Sequence, residues 1–245
     1  MGYFNDQEGI MRRYIREADQ WKLHLENTQK AILKAIANKG RKKIAILGSG
    51  WLLDVPILEL TGKFEEVWLF DIKHPAQIKR KVEKLKNIKL VETDISGFAL
   101  TIYTMVREFK KSPLNFSIED IKPNFDFELN DFDMVVSCNI LNQLDIILID
   151  YLKSTMKISP NMELQLRNLI QETHIERLPK SKSFIISDVE EMSLDKENKI
   201  INRRSLIHMD RLPKIFKKEW IWHFDNHCMY KPNCNTWFKV IALDF

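Results

Sequence analysis

Residues 44–50, Ile44-Ala45-Ile46-Leu47-Gly48-Ser49-Gly50, form a short β-branched and apolar run that stops on a glycine turn. A second apolar run, Val67-Trp68-Leu69-Phe70, stops on Asp71. In an open α/β sheet, ligands bind outside the carboxyl ends of the strands. There a glycine turn lets backbone approach the ligand, and an acidic residue ending the next strand holds ribose hydroxyls. The pairing of this turn with Asp71 therefore predicts a ligand that contains a nucleoside.

What the turn lacks narrows the ligand. A dinucleotide fingerprint needs a third small residue, so that the following helix packs closely and aims its N-terminus at a pyrophosphate. Here Leu53 stands at that place, Trp51 and Leu52 follow Gly50, and Asp54 adds a negative charge that repels phosphate. NAD is disfavoured. A cofactor with ribose and adenine but no phosphate fits better, and S-adenosylmethionine is the common one.

Around this stretch the pattern alternates. Strands are expected near 43–47, 66–70, 88–92, 132–138 and 183–188, with helical periodicity around 54–61, 75–86, 98–110 and 142–156, which argues a parallel sheet covered by helices on both faces. The runs Trp220–Phe224 and Trp237–Leu243, separated by a turn-rich stretch with Pro232, Asn233 and Asn235, read as a closing antiparallel hairpin. Ile10, Tyr14, Ala18, Trp21, Leu25, Ile32 and Ile36 are spaced as one or two amphipathic helices. This gives an N-terminal helical extension over 1–39 and an α/β domain over 40–245. From Ser112 to Asn130 lies a proline- and phenylalanine-containing loop, longer than the roughly 12–15 residues above which loops are commonly lids or binding loops.

Composition bounds the function classes. The chain has 245 residues and 44% hydrophobic content, enough for one α/β domain with a helical extension. Its net charge of +4 is too small, and its Lys/Arg clusters too scattered and amphipathic, to mark a nucleic-acid footprint. No apolar run approaches the roughly 20 residues that span a bilayer, so no membrane partner is expected. Three cysteines and no signal peptide point to a reducing cytoplasm. His223, His227, Cys228 and Cys234 fall close together, but adjacent His227 and Cys228 point to opposite faces of a strand, unlike paired zinc knuckles, so no metal is expected.

The order of these features resembles a class I S-adenosylmethionine-dependent methyltransferase. The residues that carry the likeness are the Leu-Gly-Ser-Gly turn, Asp71, Val91-Glu92-Thr93-Asp94, Phe132 to Asn139 and the closing hairpin, and it covers about residues 40–245. It implies a doubly wound, mostly parallel seven-stranded sheet whose last strand is inserted antiparallel. It also implies that Gly48, Ser49 and Gly50 lie under the methionine part and that Asp71, with Ile72 beside it, binds the ribose hydroxyls. Asp94 would receive the adenine amino group with Ile95 next to it, and Asn139 would contact the methionine amino group. Many members carry a third small residue where Trp51-Leu52-Leu53 stands.

Methyl transfer from a sulfonium needs mostly positioning and desolvation, so no catalytic dyad need be visible. If the acceptor must lose a proton, His74, His174 and Asp188 are candidates at strand ends, and His74, Gln143 and His174 are the side chains expected to face the acceptor. The acceptor is expected to be a small molecule or a protein side chain. Ser137-Cys138-Asn139-Ile140 stands where a base-methylating motif of the Asn-Pro-Pro-Tyr type would be, against a nucleic-acid acceptor. Two other outcomes remain open from the sequence: transfer of the aminocarboxypropyl arm from the same cofactor, and a non-catalytic domain of the same fold.

Overall fold

The computed structural model describes residues 2–111, 117–213 and 218–245. Five strands run parallel: β1 (Lys43–Leu47), β2 (Glu66–Asp71), β3 (Ile88–Glu92), β4 (Met134–Cys138) and β5 (Ser183–Leu194), in the spatial order β3-β2-β1-β4-β5. Helices α2 (Ile57–Lys63), α3 (Ala76–Val82), α4 (Ala99–Lys111), α5 (Ile146–Lys153) and α6 (Pro160–Arg177) lie between them. The continuous apolar run of β1 follows from burial on both faces. Ile44 and Ile46 join a core with Ile57, Leu60, Ile78 and Val82. Ala45 and Leu47 face the other way, into a core with Phe132, Ile175 and Leu178.

The C-terminal hairpin consists of β7 (Lys218–Asp225) and β8 (Asn235–Asp244). β8 is inserted antiparallel between β5 and β7, which completes the order β3-β2-β1-β4-β5-β8-β7. An eighth strand, β6 (Ile200–Ser205), has no counterpart in the sequence-based expectation. β4 stops opposite Ile186, which leaves the upper edge of β5 open, and β6 takes it from Glu190 to Leu194. All six β6 residues are exposed, and Arg203 and Arg204 pair with Glu190 and Glu191. A charged, water-facing strand carries no apolar alternation to detect and makes a poor template for edge-to-edge association.

One helix, α1 (Tyr3–Ala35), accounts for the amphipathic N-terminus, broken only at Glu17 (φ −106°, ψ 18°). Its second half is part of the sheet's core. Trp21, 2% exposed, lies edge-on to Trp222 and stacked on Phe224, and its indole N–H donates to the Phe224 carbonyl at 2.9 Å. The described part of the long loop, 117–130, is tied down beside the end of β3 without lining the cavity at the strand ends. Arg177 sits 3.5 Å over the Phe125 ring and donates to the Phe127 carbonyl, and Asp126 accepts from Thr93. Residues 112–116 lie outside the described part. Among the described residues, no helix is long and apolar enough to cross a membrane.

Candidate functional site

The turn after β1 is shaped by backbone. Gly48 has φ +85°, and a Cβ there would stand 2.8 Å from the Cys138 carbonyl of the neighbouring strand, so only glycine fits. Gly50 (φ +41°) faces more open space, and its amide donates to Asp71 Oδ2 at 2.7 Å. Leu52 takes the next left-handed position (φ 53°), which turns the chain before α2 begins at Ile57. Trp51, two residues before the place of the missing small residue, ties α1 over the turn, its indole N–H donating to the Gln7 carbonyl.

Asp71 is 8% exposed at the end of β2. Burial raises its carboxyl above the usual range, and the Gly50 amide and the Gln7 side chain oppose that. Gln7 Nε2 donates to Asp71 Oδ1 at 3.0 Å. Asp94 caps α4: Oδ1 accepts from the Ser96 amide and hydroxyl, and Oδ2 from the Ala99 amide. Asn139 holds a left-handed backbone (φ 49°), which asparagine tolerates better than most residues, and its Nδ2 donates to Asp54 Oδ2 at 2.6 Å. Gln143 donates to the Asn139 carbonyl.

A cavity of about 460 Å³ opens at these strand ends. Gly48, Ser49, Gly50, Asp71, Ile72, Asp94, Ile95, Asn139 and Gln143 all line it. His74 and His174 do not. His74 Nε2 is 3.1 Å from the Ser49 hydroxyl, and His174 Nε2 is 2.9 Å from the Ser137 hydroxyl; both rings are buried. Burial depresses each to about 4, so both stay neutral at pH 7. These two histidines hold serine hydroxyls beneath the site, where they do not meet a ligand in the cavity.

The opposite wall was not foreseen from sequence. It comes from α1 and the hairpin: Arg13, His24, Trp222, Phe224, Tyr230 and Phe238. Two β-bulges shape it. Val189 is the extra residue of β5 beside Asp188, and Phe224 the extra residue of β7. Bulges commonly re-aim side chains next to a site, and here both Asp188 and Phe224 line the cavity. His24 lies flat on Trp222 at 3.9 Å, and its Nδ1 accepts from the Trp220 indole N–H. Burial lowers it to about 3. The alternation Trp220, Trp222, Phe224 along β7, read from sequence only as a hairpin strand, is a sequence signal that could have marked an aromatic face here.

The four metal-type side chains of the hairpin have separate partners: His223 stacks on Trp237, His227 pairs with Glu17, Cys228 Sγ contacts Asn235, and Cys234 Sγ contacts the Lys231 carbonyl. Among the described residues, no group of three or more His, Cys, Asp or Glu is placed to hold a metal ion.

The strand order, with one antiparallel strand inserted next to the last, is that of the class I methyltransferase fold. Solved structures similar to this chain include a Burkholderia thailandensis 1,6-didemethyltoxoflavin-N1-methyltransferase with 1,6-didemethyltoxoflavin and S-adenosylhomocysteine bound (11% identity, 98% of this chain and 87% of that one, TM-score 0.46). Another is the N-methyltransferase NodS from Bradyrhizobium japonicum WM9 with S-adenosylhomocysteine (10% identity, 89% and 86%, TM-score 0.39). A third is DhpI with S-adenosylhomocysteine (9% identity, 96% and 95%, TM-score 0.38). No protein-family profile and no curated protein matches the sequence.

Proposed function

We propose that this chain is an S-adenosylmethionine-dependent methyltransferase acting on a small molecule. The observation that carries the proposal is the pairing of a backbone-only glycine turn with a buried strand-end carboxylate, Asp71, on one cavity. When bound, S-adenosylmethionine supplies an electrophilic methyl group on a sulfonium. The residues present fit it. Asp71 can exchange the Gln7 amide for ribose hydroxyls without losing its bond from Gly50. An ionised carboxylate offers about four lone-pair sites, so Asp94, with three used in its cap, retains one for the adenine amino group. Asn139 Oδ1 is buried with no partner and is available to the methionine amino group. The Leu52-Leu53-Asp54 stretch leaves no anion-binding helix N-terminus at the turn, since α2 starts only at Ile57, which supports a cofactor without phosphate.

Catalysis on this reading rests on positioning and exclusion of water by α1 and the aromatic wall. The partial cover that α1 gives the glycine turn favours a small molecule over a protein side chain. Calorimetric titration of the purified chain with S-adenosylhomocysteine tests the cofactor; absence of binding would end the proposal. Product mass after incubation with acceptor and S-adenosylmethionine separates a methyl gain from an aminocarboxypropyl gain.

A further inference from the structure

The cavity is acidic in a chain that is basic overall. Among the described residues, Asp6, Asp54, Asp71, Asp94, Asp150 and Asp188 line it against a single cation, Arg13, and no lysine, whereas the whole chain carries +4. Asp71 and Asp94 belong to the nucleoside side, and Asp54 is engaged by Asn139 and Cys138. Asp188 is different. It is 2% exposed, only its Oδ2 is bonded, by Asn142 Nδ2 at 3.2 Å, and its Oδ1 has no partner. Asn142 Oδ1, on the same pair, is also buried and unpartnered. Buried polar atoms are nearly always hydrogen-bonded, and two unpartnered oxygens on a bonded pair of cavity-lining residues call for a ligand that brings hydrogens.

Resting on the methyltransferase reading, we propose that the acceptor is an amine attached to a flat apolar group, with its nitrogen held by Asp188 and Asn142 and its apolar part against Trp222, Phe224, Tyr230 and Phe238. A hydroxyl brings one hydrogen to two waiting oxygens; a protonated primary amine brings three and a positive charge. For transfer the amine gives one proton to the Asp188 carboxylate, the freed lone pair forms the new N–C bond, and the sulfonium C–S bond breaks to leave the thioether S-adenosylhomocysteine. The electron-rich faces of the aromatic residues favour a cation over an anion. Arg13 Nε and the Trp222 indole N–H, also unpartnered on this wall, are the rival features, because they would prefer a carboxylate.

Burial lifts the Asp188 carboxyl to about 7, with Asp54 raising it further and Asn142 opposing. The titratable groups that face it are Asp54, the Cys138 thiol and Tyr230. A ligand that is cationic throughout therefore binds more tightly as pH rises from 6 to 8 and Asp188 ionises.

The test uses the full chain and three probes of one shape, benzylamine, benzyl alcohol and benzoate, followed by saturation-transfer NMR with S-adenosylhomocysteine present. Benzylamine should bind at least about tenfold more tightly than either other probe, the scale of a charge-assisted hydrogen bond, and its advantage should grow from pH 6 to 8. Asp188→Asn, with its fold checked by circular dichroism, should erase the preference. Benzoate binding best would give the site to Arg13 and Trp222 and overturn the proposal, as would equal binding of amine and alcohol to the unaltered chain, which needs no variant to interpret. Calorimetry with S-adenosylhomocysteine alone keeps the two readings apart. Cofactor binding without amine preference removes only the amine site, and amine preference without cofactor binding removes the methyltransferase reading but keeps an amine site.

Discussion

At the ends of β1 and β2 the polar atoms are nearly all matched. Gly50 donates to Asp71, the Gly48 and Ser49 amides both reach the Phe70 carbonyl, and after β3 Ser96 and Ala99 take three of the acceptor sites of Asp94. Across the cavity, Arg13, Asn142, Asp188 and Trp222 each leave a buried polar atom without a partner. The first wall is built from short stretches of consecutive residues after β1, β2 and β3, and most of its polar atoms are bonded before any ligand arrives. The second is assembled from α1, the segment after β4, β5 and the hairpin. Each unmatched group there carries a desolvation cost of about 1–3 kcal/mol that a ligand can recover. A preorganised wall suits a ligand common to many proteins, and an unsatisfied one suits the ligand particular to this protein.

The sharpest way to break this contrast is at the two glycines of the matched wall. Gly48→Ala forces a Cβ to 2.8 Å from a backbone carbonyl at positive φ. It should cost more than the roughly 1–3 kcal/mol of backbone strain alone, and abolish S-adenosylhomocysteine binding. Gly50→Ala, whose Cβ meets only Asp71 Oδ2 at 3.8 Å, should lose about 1–2 kcal/mol from backbone strain. Thermal denaturation of the pair checks the ranking, and equal losses would mean that the turn is not packed against β4 as described.

Next comes Asp71→Ala, expected to weaken S-adenosylhomocysteine binding by roughly 1.5–3 kcal/mol, the range for hydrogen bonds to a charged group. Unchanged affinity by calorimetry would move the ribose site elsewhere.

On the unmatched wall, Asp188 keeps its proton in the fold up to about pH 7, while the unfolded chain releases it near 3.8. The native state binds more protons across that window, so this group's contribution to stability falls as pH rises through it. Asp188→Asn should therefore stabilise the protein at pH 8 relative to the unaltered chain, by at least about 1.4 kcal/mol, one pKa unit's worth, and the gain should vanish by pH 4. A gain that does not change with pH would show that Asp188 does not carry a buried charge.

The smallest effect concerns α1, whose Gln7 bonds Asp71 at the end of β2. If ribose takes Asp71 Oδ1 from Gln7, hydrogen exchange over 3–16 should change when S-adenosylhomocysteine binds. Exchange over 20–35, fixed by Trp21, Ile32 and Ile36 in the core, should stay constant. A uniform response along the helix would argue against Glu17 as the division between the two halves.

Local sequence made the first wall legible, because a glycine turn after an apolar run and an acidic strand end are features of a few adjacent residues. The five parallel strands were legible for the same reason, each a β-branched run bounded by turn residues. Asp54, read from sequence only as a charge hostile to phosphate, proved to line the cavity and hold Asn139. Nothing near His74 or His174 distinguished a histidine on the cavity wall from one beneath it; burial under Ser49 and Ser137 decided that. The exposed, charged β6 gave no apolar pattern to find.

By itself, then, the sequence determined the sheet, its glycine turn and the acidic residues at its strand ends, since hydrophobic periodicity and backbone conformation are local properties. Only the tertiary structure decided which residues share a cavity. Arg13 and Phe224 are separated by most of the chain, yet the guanidinium lies 4.6 Å from that ring. The bulges in β5 and β7 that aim Asp188 and Phe224 inward arise from pairing with β8. Such juxtapositions depend on strand register and helix docking, which are set by the packing of the whole core and leave no mark at any one position.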